Sequence, residues 1–133
     1  MADGPVIQAA GLRALGAGMN VKRALDLVRE FREKHSTPLV LMGYVNPIYH
    51  YGYEAFARDA AAAGVDGIIL VDLPPEEAQE VEPLLTRAGI ALVRLIAPTS
   101  VPDRLTKLTE GASGYLYYVS VTGITGAAAA PAE

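Results

Sequence analysis

Residues 37–44, TPLVLMGY, decide the fold class: behind Pro38 runs a nearly continuous apolar stretch of strand length, without the alternation of a half-exposed strand. The same pattern returns in DGIILVD (66–72), IALVRLIAP (90–98) and GYLYYVSV (114–121). Between these runs lie GYEAFARDAAAAG (52–64), PPEEAQEVEPLLTRAG (74–89) and VPDRLTKLTEGA (101–112), each rich in helix formers and closed by Gly near its end. The unit is strand, loop, helix, repeated about every 25 residues. Fully apolar strands joined by helices run parallel, because the crossover helix returns the chain to the same end of the sheet.

Upstream of Thr37 the spacing predicts two helices. From Pro5 to about Leu15 the apolar positions Val6, Ala9, Ala10 and Leu12 recur at helical spacing, with Pro5 in the first turn and Gly16 and Gly18 ending the run. In the second, Asn20 is the cap and Val21, Ala24, Leu25, Val28 and Phe31 form the apolar face. Two architectures use the repeated unit, the doubly wound open sheet and the (β/α)₈ TIM barrel. A doubly wound nucleotide binder usually shows GxGxxG or GxxxxGK[ST] after a strand, and neither motif occurs. A closed barrel takes about 250 residues and eight strands. The reading is therefore an α/β chain forming a partial (β/α)₈ barrel, about four parallel strands with flanking helices, as a single domain over residues 1–133.

Composition bounds the function. The chain has 133 residues, enough to bury one compact core, and no apolar run approaches the ~18 residues of a membrane span. The start, MADGPVIQ, offers an acid, a turn and a proline where a secretory leader would place basic residues and an apolar run, so a soluble, cytoplasmic location is expected. With no cysteine there is no thiol nucleophile or thiolate metal site, and His35 and His50 lack metal-ligand spacing, so no metal is expected. Eleven Lys and Arg are scattered among fifteen Asp and Glu, giving a net charge of −4, which argues against nucleic acid and anionic membranes and for a small molecule or a protein partner.

In a barrel, chemistry sits at the carboxyl ends of the strands and in the loops that follow. Those positions here are ADG (2–4), MGYVNP (42–47), VDLPPEE (71–77), IAPTS (96–100) and SVTGITG (120–126). Taken by spacing, Asp3 reads first as a helix cap, and Tyr44 and Asn46 as packing or as ligand- or partner-contacting groups. Asp72, Glu76 and Glu77 read as a strand-end acid and a helix first turn, and Thr99 and Ser100 as caps. The segment SVTGITGAAAAPAE reads as a Gly-rich loop whose N–H groups suit a phosphate, or equally as a linker.

Five strings in this order, MADGPVIQAAGLRAL, LMGYVNPI, YGYEAFARDAAAAGVDGIILVDLPPEE, IALVRLIAPTS and GYLYYVSVTGITGA, resemble the α subunit of tryptophan synthase along nearly the whole chain. The resemblance implies a (β/α)₈ lyase that cleaves indole-3-glycerol phosphate by retro-aldol chemistry into indole and glyceraldehyde 3-phosphate, in tryptophan biosynthesis. It implies that Asp3 accepts the indole N–H as charge develops. By the same resemblance Tyr117 corresponds to a tyrosine beside the catalytic carboxylates, and Thr125 to the lid threonine that bonds the Asp on closure. Met42, Tyr44, Ile69 and Ile96 match positions that line the family's indole pocket, and Gly126 matches a phosphate-contacting glycine. Asn46, Pro47 and Pro74 are implied to lie in loops that dock the β subunit of the heterotetramer, which alone is expected to carry pyridoxal phosphate.

The sequence also departs from that family. Its catalytic glutamate lies upstream of the ADGP turn, so no residue here carries that role. The later phosphate loops have no counterpart, and Val121 and Thr122 stand where many relatives carry Arg and Ala. The expectation is the central part of such a subunit, with both ends of the barrel absent and with essentially no activity of its own. Two other readings stand beside it: a non-catalytic α/β protein-binding module, and another phosphate-handling barrel enzyme.

Overall fold

A computed structural model describes residues 3–97, 102–110, 112–120 and 123. Helix α1 spans Pro5–Gly16 and α2 spans Val21–Arg32; strand β1 is Val40–Gly43, followed by α3 (Val45–Tyr51) and α4 (Tyr53–Ala63). Then come β2 (Gly67–Leu70), a 3₁₀ turn at Pro75–Glu77, α5 (Glu82–Arg87), β3 (Ala91–Leu92), β4 (Arg94–Ile96), α6 (Pro102–Thr109) and β5 (Leu116–Tyr118). Every strand pairing is parallel, and neighbours follow chain order: β1 with β2, β2 with β3, β4 with β5. A doubly wound sheet reverses its strand order at a switch point and carries helices on both faces. Among the described residues the order does not reverse within either the β1–β2–β3 sheet or the β4–β5 pair. Leu25 and Val28 of α2, Phe56, Ala57, Ala60 and Ala63 of α4 and Leu85 of α5 form one core with Ile68, Leu70 and Leu92. One helical layer on strands laid down in chain order is the winding of a (β/α)₈ barrel, here in part.

Three expected boundaries are corrected. The run 90–98 forms two strands, because β2 pairs only as far as Leu92 and β5 takes over from Arg94; Val93 still donates its N–H to Ile68 O at 2.9 Å. Asn46 and Pro47, read as loop, lie in the first turn of α3, whose Ile48 is buried. The stretch 74–89 begins as a 3₁₀ turn and becomes α-helical only at Glu82, next to Pro83. As expected, Asn20 Oδ1 accepts the Arg23 N–H at 2.9 Å and caps α2. Helix α1 starts at Pro5 as read, but none of its residues is buried, and its apolar positions Val6 and Leu12 face outward.

Arg32 joins three segments. Its Nε donates to Gly64 O at 2.9 Å, its Nη1 to Thr37 O at 2.6 Å and its Nη2 to Asp66 Oδ2 at 2.5 Å. Gly64 ends α4 in the left-handed region, with φ 101°, and a Cβ there would stand 2.9 Å from Arg32 Cγ. The backbone alone makes Gly64→Ala cost about 1–2 kcal/mol, and Arg32, fixed by its bonds, has little room to yield. Gly89 also has positive φ, 76°, with nothing within 4 Å of its Cβ position. Thermal unfolding should therefore show a larger loss for Gly64→Ala than for Gly89→Ala; equal losses would show that Arg32 moves freely.

Two carboxylates pin β1 to β2. Asp66, just before β2, accepts the N–H of Leu39 just before β1 at 2.8 Å. Asp72, just after β2, accepts the N–H of Val45 just after β1, also at 2.8 Å. Between these two bonds Val40 pairs with Gly67 and Gly43 with Leu70.

Candidate active site

Asp3 precedes α1, Tyr44 follows β1 and Asp72 follows β2, so the fold gathers all three at the carboxyl end of the sheet. Asp3 does not cap α1. The N-cap residue is Gly4, without a side-chain bond, and the backbone carbonyl of Asp3 accepts Gln8 Nε2 at 3.0 Å. The carboxylate instead accepts the Tyr44 hydroxyl, Oη to Oδ2 3.2 Å, across 41 residues of chain. This bond to Asp3 is the main reason that the Tyr44 phenol is held above its ordinary pKa; partial burial and the charges of Asp3 and Asp72 add to it. The neutral phenol is thus a lasting donor to Asp3 at physiological pH. Asp3 is half-buried and Tyr44 is 42% exposed, so solutes reach the pair.

Met42 and Ile69 are register partners on neighbouring strands. Ile68 and Leu70 belong to the core beneath the helices and Ile69 does not, so Ile69 and Met42 lie on the opposite face, the inner side of the barrel. Ile69 is 4% exposed and Met42 51%, which makes an apolar shelf open on one side. The structure therefore brings Asp3, Tyr44, Met42 and Ile69 to one end and face of the sheet. On the β4–β5 side, Ile96 pairs with Tyr118 while Tyr117 pairs with Leu95. Ile96 and Tyr117 consequently stand on alternate rows, and among the described residues Tyr117, 37% exposed, is not hydrogen-bonded to Asp3. Asn46 and Pro47 are exposed on α3, and Pro74 is half-buried at the start of the 3₁₀ turn. Thr125 and Gly126 lie outside the described residues, as do Thr99, Ser100, Val121 and Thr122.

Two arrangements escaped the sequence reading. Asp72 reads from the sequence only as a strand-end acid; in the structure its carboxylate accepts the N–H of Val45, the first residue of α3 on the preceding unit. Arg94, in the apolar run 90–98, is 5% exposed and donates from Nη2 to Glu82 Oε2 at 2.7 Å. A lone cation inside a buried strand was the available signal, since such a charge requires a counter-charge. Among the described residues no group of three His, Cys, Asp or Glu gathers as a metal site, and no helix is long and apolar enough to cross a membrane.

The family model for the tryptophan synthase alpha chain matches residues 1–133. The alpha chain of Acidiphilium cryptum (strain JF-5) is 57% identical over 134 residues, covering 100% of this chain and 49% of its own length. That of Granulibacter bethesdensis is 54% identical and is covered over 48%. A crystal structure of the alpha chain from Legionella pneumophila subsp. pneumophila superposes with a TM-score of 0.86 at 48% identity, over 91% of this chain and 47% of that one. The tryptophan synthase a2b2 complex of Pyrococcus furiosus gives 0.84 at 43% identity, over 91% of this chain and 52% of that one. The chain spans about half the length of the curated relatives it matches.

Proposed function

The chain belongs to the tryptophan synthase alpha chain family, and from that premise we propose that it supplies the Asp3-bearing half of a carbon–carbon lyase acting on indole-3-glycerol phosphate. Protonation of the indole ring carbon places positive charge on the ring nitrogen. Loss of the glycerol hydroxyl proton forms the aldehyde, and the electrons of the broken carbon–carbon bond return to the ring. A carboxylate that accepts the indole N–H is strongest when that charge is present, which is the condition for lowering a barrier. The observation that carries this reading is the Tyr44 hydroxyl donating to Asp3 Oδ2, which fixes one carboxylate oxygen at the open end of the sheet.

Met42, Tyr44, Ile69 and Ile96 are proposed to line the indole site, since apolar side chains with one hydroxyl suit a flat heteroaromatic ring. Tyr117 and Thr125 are proposed to act beside Asp3, Gly126 on the phosphate, and Asn46, Pro47 and Pro74 in docking a β subunit within a cytoplasmic heterotetramer. The acid–base steps draw on side chains, and pyridoxal phosphate is assigned to the partner alone. These 133 residues by themselves are proposed to turn over negligibly, because the family's glutamate and most of its phosphate cradle have no counterpart among them.

The test joins this chain to the segments that flank the matching portion of the Acidiphilium cryptum relative and assays indole release. The joined chain is expected to cleave indole-3-glycerol phosphate and the 133-residue chain to release none above background. A folded but inactive joined chain would remove the assignment to this half, and turnover by the short chain would remove the claim that the other half is needed.

A further inference from the structure

Tyr44 reaches Asp3 from the turn between β1 and α3, and among the described residues the backbone of that turn has one side-chain acceptor from outside its own segment: the Val45 N–H donates to Asp72 Oδ1 at 2.8 Å. Val45 is the first residue of α3 and Tyr44 its N-cap, whose own side chain makes no capping bond. Gly43, on the other flank of Tyr44, is held by the ladder, its carbonyl accepting the Val71 N–H at 3.0 Å. Without Asp72 the turn would keep that anchor, but the first turn of α3 would lack its acceptor, and Tyr44 would be fixed to the β2 side on one flank only. We infer that Asp72 is a positioning residue for the lyase site: by holding the Val45 N–H, it sets the place from which the Tyr44 hydroxyl donates to Asp3. This rests on the proposed role of Asp3 for its effect on cleavage, but not for the geometry.

Position and charge can be separated, because Asp72 also acts on Tyr44 through space. Asp3 and Asp72 are the charged groups that bear on the phenol. Asp72→Asn removes the charge and keeps an oxygen that accepts the Val45 N–H. Val45→Pro removes the N–H and keeps the charge. Proline suits the first helical position, and Tyr44 already has φ −107° and ψ 157°, the extended conformation that a residue before proline adopts. Asp72→Ala removes both the charge and the acceptor.

The experiment titrates the Tyr44 phenol by NMR in the 133-residue chain carrying ¹³Cζ-labelled tyrosine, with Tyr44→Phe identifying the signal. Positioning predicts that the midpoint stays raised in Asp72→Asn and falls toward the ordinary phenol value in Val45→Pro and Asp72→Ala. A purely electrostatic role predicts the reverse, a fall in Asp72→Asn and none in Val45→Pro, and that result would overturn the inference. So would an unchanged midpoint in Asp72→Ala. In the joined chain, Asp72→Ala is expected to lower kcat roughly ten- to a hundredfold with little change in KM, and Asp72→Asn to restore it. If the titrations follow the positioning pattern while Asp3 proves dispensable for cleavage, the functional reading fails and the positioning of Tyr44 stands. If Asp3 is required and the titrations do not follow it, the positioning inference fails alone.

Discussion

Asp3→Asn in the joined chain is expected to lower kcat for indole-3-glycerol phosphate cleavage by about 10²- to 10⁴-fold. The substitution keeps the shape of the side chain and an oxygen that accepts the Tyr44 hydroxyl, so the local geometry of the 3.2 Å contact persists. What it removes is the negative charge. A neutral amide still bonds the indole N–H in the ground state, but it gains little as positive charge builds on the ring nitrogen. The loss should therefore appear in kcat far more than in KM, the pattern of an interaction made chiefly in the transition state. Indole release followed under saturating substrate measures it. A variant retaining a third or more of wild-type kcat would remove Asp3 from the reacting centre and leave the Tyr44–Asp3 bond a structural contact.

Arg94→Ala should destabilise the fold by about 3–5 kcal/mol. Arg94 is buried at the start of β4 and reaches Glu82 in the first turn of α5, where the carboxylate is itself 23% exposed. Truncating the arginine leaves a largely buried carboxylate without its counter-charge, and the lost guanidinium also leaves space against β4. For a domain of this size the melting temperature should fall by roughly 10–20 °C, measured by circular dichroism. The pair itself stabilises far less than its removal costs. Among the described residues, Arg94 Nε and Glu82 Oε1 are buried without a hydrogen-bond partner. Replacing both residues with apolar ones, Arg94→Met with Glu82→Leu, is thus expected to be near neutral or stabilising. A melting point for Arg94→Ala within about 2 °C of wild type would show that water reaches the pair.

How far the sequence revealed the fold depends on the range of the contacts that decide each element. The Asn20 cap, the proline start of α1 and the glycine end of α4 are set within a few residues, and all three appear where the pattern placed them. Helix α3 was missed because its seven residues include Pro47 and lack a cap of their own; the acceptor comes from Asp72, 27 residues along. The split of the third apolar run at Val93 likewise depends on where β2 stops and β5 starts. Asp3 shows the same limit at the site. Local spacing favours a cap, and only the return of the chain after β1 brings Tyr44 within reach of its carboxylate. The inward pair Met42 and Ile69 is singled out by the family resemblance and not by spacing, and their adjacency is a matter of register, which composition does not encode.

The two aspartates that bracket β2 also bear on how the chain folds. Both bonds close loops of the same length, 27 residues, around the β1–α3–α4–β2 segment. A slip of one residue between the strands would break both at once, so the correct alignment is selected as soon as the segment closes. Parallel pairing is ordinarily slow, because the loop entropy is lost before the contacts that offset it are made. Here those contacts lie within one short unit whose helix α4 carries Phe56 and Ala60 into the core. This segment is therefore the natural first unit of the chain to become protected from amide exchange, with β4 and β5 adding onto a template that already has its register.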